Sequence, residues 1–320
     1  MIKFENVTKR YDDGTVAVEN INFEIQEGEF FVLIGPSGSG KTTTLKMINR
    51  LIPLSDGTIY FHEKKISEYD IHELRWNMGY VLQQIALFPH MTIAENISIV
   101  PELKKWDEQQ IKERVDELLT MVGLDPNTYR DRKPIELSGG EQQRIGVIRA
   151  LAANPDIILM DEPFSALDPI SREKLQDDMI TLHRNIKKTI IFVTHDMSEA
   201  IKLADRICIM KDGKIVQIGS PQQLIDHPVN NFVESFVGSN QHQLDKIKIS
   251  DIIRPIGKEK SENVFNTLPL TSSIDEVIKE LSQNEAVGIE ENGTIIGMIN
   301  RSMLLSALTN QLQGRGAGNE

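Results

Sequence analysis

Three runs of this sequence are continuously apolar: Phe30-Phe31-Val32-Leu33-Ile34, Ile157-Ile158-Leu159-Met160 and Ile190-Ile191-Phe192-Val193. A strand with one wet face alternates apolar and polar residues. A strand without alternation is buried on both faces, as in a parallel sheet covered by helices. Helix-period patterns separate the runs, which predicts an α/β fold. Ile21, Phe23 and Ile25 alternate with polar residues as a half-buried strand does, and Ile2, Phe4 and Val7 read as a strand near an edge. From about residue 85 to about 155 the strand signal stops. Ile111, Val115, Leu118 and Leu119 there mark one helix face, and residues 139–153 read as a helix stopped by Asn154-Pro155. This stretch is a helical subdomain inserted into the α/β core.

A chain of 320 residues predicts two domains. The composition shifts near 238, where Gly238-Ser239-Asn240-Gln241-His242-Gln243 is polar. Residues 239–250 read as a linker, 251–312 as a small α+β domain and 313–320 as a disordered tail. In the small domain Ser273-x-x-Glu276 is a capping-box signature for a helix with Ile274, Val277, Ile278 and Leu281 on its apolar face. Ala286–Ile289 and Thr294–Ile299 are short strands joined through Asn292-Gly293, and a helix over about 302–312 closes the unit.

Acidic residues outnumber basic ones 47 to 35, for a net charge of −12, which argues against nucleic acid as a partner. The single cysteine, Cys208, forms no internal disulfide and fits a reducing compartment. No run of apolar residues is long enough to span a bilayer, and the N-terminus lacks a signal-peptide pattern. The expected location is cytoplasmic.

Gly35-Pro36-Ser37-Gly38-Ser39-Gly40-Lys41-Thr42 fits the pattern G-x-x-x-x-G-K-[ST]. It follows the first apolar run and opens a helical stretch, the context this phosphate loop requires. Glycines let backbone N–H groups converge on phosphate oxygens, and a helix N-terminus adds partial positive charge. Lys41 is assigned to the β- and γ-phosphates and Thr42 to Mg²⁺, with Thr43 part of the same nucleotide-binding run. The second apolar run ends in Asp161-Glu162. Carboxylates at a buried strand end require cations or hydrogen bonds. Asp161 is expected to bind Mg²⁺, and Glu162 to act as the general base on the attacking water. The third element is Leu137-Ser138-Gly139-Gly140-Glu141-Gln142. Ser138 is a good N-cap, but two glycines in the first turn weaken a helix. They fit a place where a ligand approaches the backbone. One chain thus holds two phosphate-recognising elements about a hundred residues apart.

These motifs, in this order, resemble the ATPase subunits of ATP-binding cassette (ABC) transporters over about residues 1–238. Leu137–Gln142 is similar to that family's signature. The resemblance implies a P-loop NTPase core that uses ATP and Mg²⁺ and pairs head to tail with a second copy. Each ATP then lies between Lys41 of one chain and Ser138-Gly139-Gly140 of the other. Tyr11 matches the aromatic that stacks on adenine. Gln83, preferred over Gln84 for its place after Gly79-Tyr80-Val81-Leu82, matches the glutamine that touches Mg²⁺ and the attacking water. Ser165-Ala166-Leu167-Asp168 matches the loop that crosses the dimer interface. Asp168 before Pro169 is equally an ordinary N-cap. His195, in Thr194-His195-Asp196, matches the switch histidine at the γ-phosphate.

The segment from Gln83 to Ile97, with Leu87-Phe88-Pro89-His90, resembles the importers of quaternary ammonium osmoprotectants such as glycine betaine, carnitine and choline. Val100-Pro101, Trp106 and Tyr129-Arg130-Asp131-Arg132 strengthen the likeness. A related system exporting bile-type compounds or importing another small polar solute is the alternative, and a soluble ABC ATPase is another. The resemblance implies transmembrane permease subunits, an extracytoplasmic solute-binding protein or domain, and a place on the cytoplasmic face of the membrane. The C-terminal unit resembles a cystathionine-β-synthase (CBS) regulatory motif in a single copy. Its ligand would be an adenine nucleotide or a cyclic dinucleotide; the competing reading is a packing or dimerisation domain.

Overall fold

In a computed structural model the chain divides into two compact units, Met1–Phe236 and Val237–Glu320. The structure describes residues 1–84, 86–165, 167–245, 249–254, 266–272, 274–291, 293–304 and 306.

The strands of the first unit are β1 (Ile2–Arg10), β2 (Val16–Ile25), β3 (Phe30–Ile34), β4 (Asp56–Phe61) and β5 (Lys64–Lys65), then β6 (Met78–Val81), β7 (Ile157–Asp161), β8 (Thr189–Thr194), β9 (Arg206–Lys211) and β10 (Lys214–Gly219). The helices are α1 (Lys41–Ile48), α2 (Ile71–Trp76), α3 (Ile93–Leu103), α4 (Glu108–Met121) and α5 (Pro126–Tyr129), then α6 (Gly139–Leu151), α7 (Pro169–Ile186), α8 (Met197–Leu203) and α9 (Pro221–Asp226). The division between units falls within α10 (Asn231–Asp245).

The main sheet runs β10-β9-β3-β8-β7-β6, parallel except for β10 against β9. Every residue of β3, β7 and β8 is buried, as their unbroken apolar runs predict. A second, antiparallel sheet runs β2-β1-β4-β5. One core joins the two sheets and α1. Phe4 stacks on Phe23 with centroids 4.3 Å apart, and Phe23 stacks on Phe31 of the main sheet at 5.5 Å. Each such pair contributes roughly 0.5–1.5 kcal/mol beyond simple burial.

The expectation that Ile2, Phe4 and Val7 sit near an edge is corrected. β1 lies between β2 and β4, and all three side chains are buried. Its second partner, β4, is more than fifty residues away in sequence (Ile2 opposite Phe61), beyond the reach of local patterning.

Between β6 and β7 the described elements are helical. α3 opens with a capping box from Thr92 and Glu95, and it packs against α4 and α6. Asn96, fully buried on α3, accepts from the Phe88 N–H at 2.8 Å and donates to the carbonyls of Phe88 and Thr92 at 3.1 and 2.9 Å. One carboxamide thereby fixes the turn Phe88–Thr92.

Register is what prepares the site. Ile34 lies opposite Thr194, Asp161 opposite Val193, and Val81 opposite Met160. The segments leaving the C-terminal ends of β3, β8, β7 and β6 therefore emerge side by side, where open α/β sheets bind ligands.

The second unit holds α11 (Ile249–Ile252), β11 (Thr267–Pro269), α12 (Ile274–Gln283), β12 (Ala286–Glu291) and β13 (Thr294–Asn300). β11 is parallel to β12, and β12 is antiparallel to β13. Ile274, Val277, Leu281, Val287, Ile289 and Ile299 share its core. The polar composition after 238 does not break the chain, because α10 continues to Asp245. Ser273, Asn292 and residues 307–320, on which the capping box, the hairpin turn, the tail and most of the last helix were placed, lie outside the described residues.

Candidate nucleotide site

The loop Gly35–Gly40 joins β3 to α1 and is shaped by close backbone approach. A Cβ on Gly35 would stand 2.1 Å from the Met210 carbonyl oxygen. Gly40, the N-cap of α1, has φ +98°, and a Cβ there would stand 2.5 Å from the Ala17 carbonyl oxygen. Neither position admits a side chain. The Lys41 ammonium donates to the carbonyls of Gly35 and Pro36, each at 2.9 Å. Burial pulls its pKa down, opposed by the charges of Glu162 and Asp161. Pro36, Ser37 and Gly38 are exposed, while Ser39 is buried and its hydroxyl has no partner. An orphaned buried hydroxyl costs about 1–3 kcal/mol unless a ligand completes it. An anion entering the loop would give that hydroxyl an acceptor.

Thr42 Oγ1 donates to Asp161 Oδ1 at 2.8 Å, and Tyr80 Oη donates to Asp161 Oδ2 at 3.4 Å. Burial, then the charge of Asp161, pushes the Tyr80 phenol up. Glu162 follows in the left-handed region at φ +45°, rare for a residue with a Cβ. Its N–H donates to the Val193 carbonyl at 3.0 Å, and this turn aims the side chain across the sheet end. Glu162 Oε2 accepts from Gln83 Nε2 at 3.5 Å and meets His195 Nδ1 at 3.1 Å. Glutamine, glutamate and histidine from three strand ends thus converge, and Gln83 rather than its neighbour supplies the glutamine contact.

Other expected residues stand elsewhere. Thr43 is half-buried on α1. Tyr11 follows β1 and is 40% exposed, with Lys9 Nζ 5.1 Å from its ring centroid. Asp168 caps α7, accepting from the Ser171 N–H at 3.1 Å. Its pKa is lowered by the hydrogen bonds from Ser171. Ala166, in the same loop, lies outside the described residues. Ser138 caps α6, and its hydroxyl donates to Glu141 Oε2 at 2.7 Å, so the bonds of its side chain stay within its own helix. Gly139 has open space where a Cβ would be, and Gly140 meets only Ser171 at 3.6 Å. Packing within this chain does not demand either glycine.

Sequence reading missed the residues behind the site. Tyr80 was seen only as part of a strand, although a phenol among apolar residues at a buried strand end needs a partner. Glu199 on α8 was also missed. It is buried, and it accepts from the hydroxyl of Thr194, the residue before His195, at 2.6 Å. Burial raises its pKa, only partly offset by the Thr194 hydrogen bond. A carboxyl whose folded pKa is raised contributes stability that is complete below its unfolded value and is lost as pH rises through the folded value. Glu199→Gln keeps an acceptor for Thr194 and removes the buried charge. Its thermal midpoint is expected to exceed that of the wild type near pH 8 and to match it near pH 4, measured by circular dichroism. Equal midpoints at both pH values would refute this.

The chain matches the family model described as ABC transporter over residues 18–165. It is 53% identical over 283 residues to the choline transport ATP-binding protein OpuBA of Bacillus subtilis (strain 168), covering 88% of this chain and 72% of that one. Identity and coverage are the same for the glycine betaine/carnitine/choline transport ATP-binding protein OpuCA of that organism. Among solved structures it is similar to a dimeric, post-hydrolysis state of the ATP-binding cassette MJ0796 bound to ADP and Pi. That match has a TM-score of 0.61 and 37% identity, covering 69% of this chain and 98% of the other. A phosphate loop, an acid pair at the adjacent strand end and relatives of this similarity lead to one conclusion: the chain belongs to the ATP-binding proteins of ABC transporters, and its enzymatic activity is that family's ATPase.

Proposed function

We propose that this chain hydrolyses ATP to energise import of a quaternary ammonium solute: choline, glycine betaine or carnitine. The observation that carries the solute class is the 53% identity, over most of the chain, to two proteins named for transport of those compounds. Among the described residues no helix is long and apolar enough to cross a membrane. In this reading, separate permease subunits hold the chain at the cytoplasmic face, and a solute-binding protein or domain delivers the cargo.

The donor set fits Mg²⁺. The Thr42 hydroxyl and an Asp161 carboxylate oxygen converge within 2.8 Å, and the Gln83 amide would offer a further oxygen. A hard cation that keeps several waters needs only one or two such protein ligands beside phosphate. When bound, the ion neutralises charge on the β- and γ-phosphates. Lys41 leaves the loop carbonyls for phosphate oxygens, and the loop N–H groups hold the remainder. Glu162 takes a proton from the attacking water, while Gln83 and His195 orient that water and the γ-phosphate. Tyr11 stacks on the adenine. In the dimer, Ser138-Gly139-Gly140 of a second copy closes the site and Asp168 crosses the interface. The C-terminal unit, with its β11-α12-β12-β13 order, serves as a CBS-like regulatory domain that pairs with its counterpart in the dimer.

The test is uptake of labelled choline, glycine betaine and carnitine by cells carrying this chain together with the permease and binding subunits of its own transporter. At least one solute should accumulate in the wild type and be reduced to background by Lys41→Ala. No uptake of any of the three, with ATPase activity intact, would discard the solute class.

A further inference from the structure

α6 begins beside a short polar chain that the mechanism above leaves unused. Tyr129, half-buried at the end of α5, donates its phenol to Glu141 Oε1 at 2.6 Å. Glu141 Oε2 in turn accepts from both the backbone N–H and the hydroxyl of Ser138, at 2.8 and 2.7 Å. The Ser138 hydroxyl thus rests against a carboxylate whose other oxygen is held by a tyrosine, and its proton can turn to a phosphate while the rotamer stays fixed. Charge-assisted bonds of this length are the stronger kind. The Tyr129 bond is also the first cause holding the Glu141 carboxyl below its usual range.

The tyrosine is itself anchored. The Arg132 guanidinium lies 4.6 Å from its ring centroid. The carbonyls of Arg132 and Arg130 accept from the N–H groups of Ile93 and Ala94, at 2.8 and 2.9 Å. The loop after α5 thus completes the first turn of α3, whose free N–H groups would otherwise lack partners. Arg130 also pairs with Asp116 on α4. Tyr129 is fixed to α3 and α4 on one side and reaches Ser138 through Glu141 on the other.

We propose that Tyr129 is a positioning residue for Ser138, acting through Glu141 to set the serine's rotamer for the nucleotide held by the partner chain. This rests on the reading that Ser138 acts in trans. A network with every member satisfied rigidifies what it touches, and a serine free to rotate has to be ordered on each encounter with nucleotide.

The experiment measures ATP turnover against ATP concentration for full-length wild type, Tyr129→Phe, Glu141→Ala, their double variant and Ser138→Ala, with thermal midpoints as the folding control. Tyr129→Phe is expected to raise the half-saturating ATP concentration about fivefold and leave kcat within about twofold. The double variant is expected to be no worse than Glu141→Ala alone, because both changes remove one pathway. A Tyr129→Phe enzyme with wild-type half-saturation, or a lowered thermal midpoint as its sole defect, overturns the proposal, and so do additive effects in the double variant. If Ser138→Ala leaves ATP dependence unchanged, the trans reading falls and this proposal with it. If Ser138→Ala shifts it and Tyr129→Phe does not, only the positioning role falls.

Discussion

Replacing Glu162 by glutamine is expected to lower ATP turnover by about 100- to 10,000-fold while ATP still binds, the range a positioned general base supplies. The substitution is nearly isosteric. Glutamine keeps an oxygen that accepts from Gln83 and retains the backbone that donates to Val193. What it loses is the ability to take a proton. With nucleotide bound and chemistry blocked, pairs of chains should accumulate, detectable as an ATP-dependent shift in size-exclusion elution. The left-handed backbone at Glu162 gives a second reason to expect a role here. A conformation of that kind costs of order 1–3 kcal/mol and survives only where surrounding structure enforces it. Turnover within tenfold of the wild type would move the base role to another group, with His195, 3.1 Å from Glu162 Oε2, the nearest candidate.

The parts of this site that lie in one stretch of chain were legible in the sequence. The unbroken run Phe30–Ile34 before Gly35–Thr42, and Ile157–Met160 before Asp161-Glu162, each carry strand and chemistry together. The convergence of Gln83, Glu162 and His195 was anticipated only through resemblance to a family. Nothing in local periodicity says that β6, β7 and β8 are neighbours. Strand order and register are set by long-range pairing, as the misplaced edge at β1 shows. β4, β5, β9 and β10 also escaped notice. The last two frame Asp212-Gly213, whose glycine closes on the Ala17 carbonyl with 3.0 Å left for a Cβ. Polar residues after Gly238 read as a linker because a polar run carries no apolar periodicity, yet α10 continues through them to Asp245. Glu199 went unseen, and Tyr129 stood out only through resemblance, for a different reason: a buried acid or a bonded phenol is defined by its partners, and those stand on other elements.

Mixing Lys41→Ala chains with Ser138→Arg chains is expected to restore ATP hydrolysis that neither shows alone. In the proposed mechanism Lys41, buried in its loop, brings a cation to the phosphates. In Ser138→Arg a bulky side chain replaces the α6 N-cap at the place where phosphate oxygens would enter. In a head-to-tail dimer each site takes Lys41 from one chain and Ser138 from the other, so a homodimer of either variant has two damaged sites. A mixed dimer gathers both lesions in one site and leaves the second intact. Random pairing of equal amounts makes half the dimers mixed, so with independent sites about one quarter of wild-type activity returns. Cis use of both elements would give no recovery at any ratio, because every site in every dimer would carry one lesion. The geometry favours the first outcome. Ser138 bonds only within α6, and Gly139 and Gly140 leave a helix start free of side chains that this chain's own packing does not require. Such a surface makes physical sense when something from outside the chain comes to rest on it.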